Sequence, residues 1–381
     1  MRVVAFSAVI AVHSIAFTES PSNVVAAGGL MALQFGREVF FALTGFVLVF
    51  SLGERDLHVL SFWRRRLSLV ALPFVTWSVV YYAFDVISGA SFSSGAFLGD
   101  LLTGNADYHL YFLLVTVQLY LAFPVVLRLV RRTASHPWMV LSVVGALNVA
   151  WLAALQYSTA PAGVGWLWTR AYELLPTYAV WVLAGCYAAV HWSRVERAAR
   201  RWRHPLVFGG VGCVAVAEVI YVLQLATFTP RDAAAVLQPA TALMCVGVLM
   251  ILLVMTGRWA TRRPDGSPVL RTASDISFGV YLSHPLVLAV LVDAGLGSPA
   301  TLPVPMATAV GIIVPAAAAG AFTLAVRRTR LSILLTGRPR RPRPQSLTQL
   351  PAGFDGVLSR KEERTRYETT IDRSLAPLVP R

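Results

Sequence analysis

The sequence has 381 residues, 56% of them hydrophobic and only 14% charged, with a net charge of +14. Soluble domains carry roughly 25% charged residues, and the mean hydropathy of +0.63 points the same way. A soluble globular enzyme is therefore excluded as the default, and the positive charge becomes a question of membrane sidedness rather than of nucleic acid.

A spanning helix needs about 20 predominantly apolar residues. Ten segments approach that length, at roughly 2–17, 34–52, 67–87, 108–127, 138–155, 173–191, 206–226, 237–256, 276–294 and 304–326. Of the 33 Lys and Arg residues, 30 fall at Arg2, after even-numbered segments or in the tail; only Arg37, Arg170 and Arg231 fall on the other side. Positive charge collects in cytoplasmic loops. The expectation is an all-α, multi-pass protein of the plasma (inner) membrane with both termini cytoplasmic. A membrane domain is expected over 1–330, followed by a basic, Pro/Arg-rich tail over 331–381 that has too few large apolar residues to fold alone. Its basic residues suit the surface of anionic lipid.

The first segment opens directly on Met1-Arg2, as if its first turn were missing. A signal peptide is the rival reading, but Thr18-Glu19-Ser20-Pro21 offers no convincing small-residue cleavage site. Arg2 and His13 are eleven residues apart, which leaves them about 20° apart on one helix face. At 1.5 Å per residue the imidazole sits about 16 Å deeper than the guanidinium. An ionisable group at that depth asks for a reason, and His13 is either a hydrogen-bonder between helices or a proton-transfer group.

The second segment opens on Arg37-Glu38, a neutralised interfacial pair or part of an outer pocket, and continues to Thr44. Trp63-Arg64-Arg65-Arg66 precedes the third. These arginines are positive-inside anchors or a phosphate site, since guanidinium forks match phosphate oxygens in pairs. The fourth carries His109, Tyr111, Gln118 and Tyr120. Glu218 stands isolated in the seventh, with Arg37 and His13 as possible partners. In the ninth, Ser277, Tyr281 and His284 form a polar stripe. Cys186, Cys213 and Cys245 lie in apolar runs without a CxxC, so neither a disulfide framework nor a metal site is expected.

Together these elements resemble the integral-membrane acyltransferase family 3, O-acyltransferases that modify surface glycans and some macrolides. Arg2 and His13 match the family's Arg-x10-His pair. Phe40-Phe41-Ala42-Leu43-Thr44-Gly45-Phe46 matches its FF-x-x-SGF stretch, with Thr44 for Ser. His109-Leu110-Tyr111 with Gln118, Tyr120, Leu121 and Pro124 matches its HLW…Q-x-YL…P helix, and Tyr281-Leu282-Ser283-His284 its YL-x-H helix. The family's Arg-x-x-Arg before the third helix is not reproduced, since Leu69 stands three residues after Arg66.

The resemblance implies a membrane O-acyltransferase. It would move an acyl group, acetyl by default, from cytoplasmic acyl-CoA as co-substrate to a hydroxyl of a glycan, lipid-linked sugar or macrolide. His13 would be the base and Arg2 its donor-side partner. Arg64, Arg65 and Arg66 would bind donor phosphates. Arg37, Glu38, Thr44, His109, Tyr111, Gln118, Glu218, Tyr281 and His284 are pocket candidates. No permanently bound cofactor, metal or nucleic acid is expected; the partners are acyl-CoA, the acceptor and the bilayer. Direct transfer and a covalent acyl-enzyme both fit. The competing class is a transporter of lipid-linked sugars or drugs, using the same intramembrane polar groups as a substrate path.

Overall fold

A computed structural model describes residues 1–263, 267–295 and 303–340, and all regular structure among them is helical. In lipid only such internally hydrogen-bonded backbone can span. The chain runs through α1 (Arg2–Thr18), α2 (Val24–Leu33), α3 (Gly36–Leu52), α4 (Val59–Leu67), α5 (Ala71–Ile87) and α6 (Ser94–Thr103). α7 (Tyr111–Arg132), α8 (Pro137–Tyr157) and the short α9 (Gly165–Thr169) follow, and two 3-10 turns lead into α10 (Ala179–Val190). The rest comprises α11 (Trp192–Arg201), α12 (Arg203–Gln224), α13 (Pro230–Ala233), α14 (Pro239–Arg262), α15 (Pro268–Asp293), α16 (Val304–Val326) and α17 (Ser332–Thr336).

Among the described residues eight helical stretches are long and apolar enough to cross a bilayer, α2 with α3 and α4 with α5 each counting as one. Two shorter apolar helices, Arg2–Thr18 and Leu175–Val190, fall where the sequence predicts the first and sixth segments. The sixth is short because residues 171–178 are spent on 3-10 turns around Pro176.

Glycine sets the closest helix contacts. A Cβ on Gly45 or Gly185 would run into the carbonyl of Val182 or Ala42, so only glycine lets α3 and α10 touch along their backbones. Gly210 and Gly247 do the same for α12 and α14. α15 lies along α16, and α1 packs against α3, α15 and α16. Apolar side chains face outward where lipid would lie: α8 buries only Asn148 and Leu152, while Trp138, Met139, Val143 and Leu147 are exposed.

One expected boundary moves. Residues 331–340, grouped with the tail on composition, pack onto the bundle. Ser332 and Thr336 are buried, and Trp77 Nε1 donates to Leu335 O at 3.0 Å. The remainder of the expected tail, 341–381, lies outside the described residues.

Candidate active site

Hydroxyl groups fix α1 against α16 before it delivers its histidine. Ser14 Oγ donates to Gly311 O at 2.6 Å, and Thr18 Oγ1 shares a 2.9 Å hydrogen bond with Thr308. His13 meets His284 of α15, Nδ1 to Nε2, at 2.9 Å, with the two rings parallel and their centroids 5.1 Å apart.

Pro285 accounts for this pairing. It has no N–H, so the Tyr281 carbonyl loses its helical donor, and His284 Nδ1 takes that carbonyl at 2.9 Å, with Val280 O at 3.1 Å. On the next rung the Tyr81 hydroxyl inserts itself, donating to Leu282 O at 2.8 Å and accepting from Leu286 N–H at 3.2 Å. A carbonyl can only accept, so His284 Nδ1 carries its proton and Nε2 of the neutral ring is an acceptor. The donor in the histidine pair must then be His13 Nδ1. His13 Nε2 is left as a lone pair without a partner among the described residues, on a ring that lines a cavity of about 690 Å³.

His109 lies in the turn before α7, which the left-handed Gly104 (φ 76°) makes possible by packing on the Tyr111 backbone. Its Nδ1 faces Asp107 Oδ1 at 3.1 Å, and its carbonyl accepts the Tyr281 hydroxyl at 2.6 Å. Its Nε2 is buried with no hydrogen-bond partner among the described residues. Its ring centroid is 6.5 Å from that of His13 and 6.0 Å from that of His284. Tyr108 stands edge-on to His13 at 4.7 Å.

Above the histidines the cavity wall is polar and aromatic. Arg37 is held by Glu38, donates to the Tyr111 hydroxyl at 3.1 Å and lies over the Tyr178 ring. Asn105 donates to Glu173 Oε1 at 2.8 Å and accepts from Tyr172 at 3.0 Å. Burial and then the charge of Glu173 push the Tyr172 phenol up, which keeps it a donor. Gln118 clamps the backbone beside Glu173, donating to Glu173 O at 2.7 Å and accepting from Leu175 N–H at 3.0 Å. The three arginines expected away from the basic side all belong here: Arg37 and Arg231 line the cavity, and Arg170 pairs with Glu173 at 3.3 Å.

The structure thus brings His13, Arg37, His109, Tyr111 and Tyr281 to the cavity, with Glu38, Gln118 and His284 directly behind. It does not bring Thr44, whose hydroxyl donates to Phe40 O of its own helix at 2.7 Å. Glu218 also stays away, against Gly28 beside Tyr221, and neither Arg37 nor His13 is its partner. Arg2 sits at the far end of α1 from the cavity. Arg66 is half-buried while Arg64 and Arg65 are exposed. Sequence reasoning missed Asn105, Tyr108, Tyr172 and Glu173; of these only Glu173, an acid opening an apolar segment, carried a signal.

A family model described as an acyltransferase domain matches residues 1–326. No curated protein and no solved structure matches the chain.

Proposed function

This chain belongs to acyltransferase family 3 and is an acyl-transferring membrane enzyme, and on that premise we propose that it moves an acetyl group from cytoplasmic acyl-CoA to a hydroxyl of a glycan, lipid-linked sugar or macrolide. The observation that carries this reading is the unprotonated Nε2 of His13 on the wall of the cavity. An alcohol has a pKa far above 7 and needs a positioned base to attack a thioester. The pairing of His284 Nδ1 with backbone carbonyls holds such a base ready on His13.

The acceptor occupies the cavity, whose wall of Tyr108, Tyr111, Tyr172, Asn105 and Arg37 offers aromatic faces and hydrogen bonds of the kind that hold a polyhydroxylated molecule. The donor comes from the other end of α1, its phosphates near Arg2 and its thioester near His13. Arg2 and His13 are separated by about 16 Å, half the hydrocarbon thickness. In the reaction His13 Nε2 takes the hydroxyl proton as the oxygen attacks the thioester carbon. The C–S bond then breaks, and the imidazolium returns the proton to the departing thiolate. The His13–His284 hydrogen bond keeps Nδ1 protonated throughout, so the proton is handled at Nε2 alone. Both termini lie in the cytoplasm under this reading, and the membrane is the plasma (inner) membrane.

The test is His13→Ala assayed with isotopically labelled acetyl-CoA in membranes. Deleting an intramembrane polar group does not hinder insertion, so abundance is expected to be normal while acylated product falls by about 10²–10⁴-fold, the usual contribution of a positioned base. A His13→Ala protein present at normal abundance with full activity refutes the mechanism.

A further inference from the structure

We propose that Arg338, in the segment after the last long helix, completes with Arg2 and Arg66 a three-guanidinium site for the phosphates of a nucleotide-bearing donor. This rests on the acyl-CoA reading above and extends it to a residue beyond the part of the chain that the family match covers.

The segment is built to hold this arginine in one place. Ser332 Oγ donates to the Arg338 carbonyl at 2.7 Å, and Thr336 Oγ1 donates to Ser332 O at 2.6 Å. Gly337 turns the chain with φ 59° and lies so close to Leu69 O and the Phe278 ring that no side chain fits there. On the far side, Arg327 Nη2 donates to Pro339 O at 3.4 Å. Leu69 is three residues after Arg66, so Arg338 enters at the end of the Arg64–Arg66 run. The charges of Arg2, Arg66 and Arg338 all act on the Tyr120 phenol, and those of Arg2 and Arg338 on one another.

What singles the three out is the lack of a counter-charge. The other described arginines that are not exposed are neutralised: Arg37 by Glu38, Arg170 by Glu173 and Arg327 by Asp275. Arg2, Arg66 and Arg338 are each half-buried, and none has an ion-pair partner among the described residues. Three cations converging from α1, α4 and the post-bundle segment repel one another more strongly at a membrane boundary than in water. Guanidinium forks matched to phosphate oxygens would turn that repulsion into binding. A ligand with several phosphate charges fits the set better than a single anion.

Phosphate could be presented by the donor nucleotide or by a lipid headgroup, and the experiment separates them. The full-length protein in nanodiscs is assayed with acetyl-CoA and with S-acetylpantetheine, which carries the same thioester and no phosphate. Arg338→Ala is expected to raise KM for acetyl-CoA by about 10- to 100-fold, the loss of one charge-assisted contact. It should leave kcat within about twofold and the pantetheine KM unchanged, and weaken inhibition by 3′,5′-ADP by the same factor. Arg338→Lys, which keeps the charge and guards against a folding defect, should fall between. Arg340→Ala is the control in the same segment and should behave as wild type. Equal KM shifts for both donors, or none, overturn the proposal. A shift that follows the anionic lipid content of the nanodisc and not the donor assigns the site to a headgroup and also overturns it. Failure of the acyl-CoA reading looks different: the wild-type protein itself would show no saturable use of acetyl-CoA.

Discussion

Pro285 removes one donor from α15, and the consequence reaches the reactive nitrogen in two steps. The freed carbonyl of Tyr281 holds the proton on His284 Nδ1, and His284 Nε2 then holds the proton on His13 Nδ1. His284 is therefore a positioning residue. Replacing it with Leu should lower the rate by on the order of 10²–10⁴-fold, because His13 loses the partner that fixes its tautomer and the base with it. His284→Gln, whose amide oxygen also accepts, should recover part of that loss, which a merely space-filling role would not allow. Rates of the two variants at matched membrane abundance check this, and equal rates would refute it. Both histidines stood out in the sequence as polar groups inside apolar segments. Their partnership did not, because it joins residues 271 positions apart. The choice of free nitrogen was equally hidden, since it depends on hydrogen bonds that no spacing encodes.

Helix by helix, the hydropathy ruler located the elements well but misjudged what some of their residues do. Thr44-Gly45 reads as part of a signature stretch with Thr44 as a pocket candidate. In the structure Thr44 satisfies its own helix, while Gly45 and Gly185 let α3 and α10 meet at backbone distance. Gly185→Leu would drive a side chain into Ala42 O, and overpacking of this kind costs about 1–3 kcal/mol or more. Its signature should be a lower melting temperature in detergent and lower abundance. A stable, abundant variant would show that the seam can open. Other misjudged elements are the turns. The residues between α6 and α7 and those at 171–175 give the cavity Asn105, Tyr108, His109 and Tyr172, yet they carry no helical period. Asn105, Tyr108 and Tyr172 were invisible for that reason.

At the scale of the whole chain, charge and cavity tell one story. In the sequence 30 of the 33 basic residues fall on one side of the segment pattern, and of the exceptions Arg37 and Arg231 line the cavity while Arg170 pairs with Glu173. That pattern is legible in the sequence, and what the exceptions are for is not. A reporter fused after Arg330 should be cytoplasmic and one placed near Ser94 external, read by the activity of compartment-specific fusions; both on one side would break this topology. α1 has its guanidinium at one end and its imidazole eleven residues along, on the wall of the cavity. Under the proposed reaction neither bulky substrate has to traverse the membrane. Only two carbons and an oxygen do, handed from one solvent to the other at a single nitrogen, and free thiol stays on the side that made the thioester. The enzyme would then be a vectorial device, spending a bond energised inside the cell to decorate molecules in a compartment that has no activated acyl groups of its own.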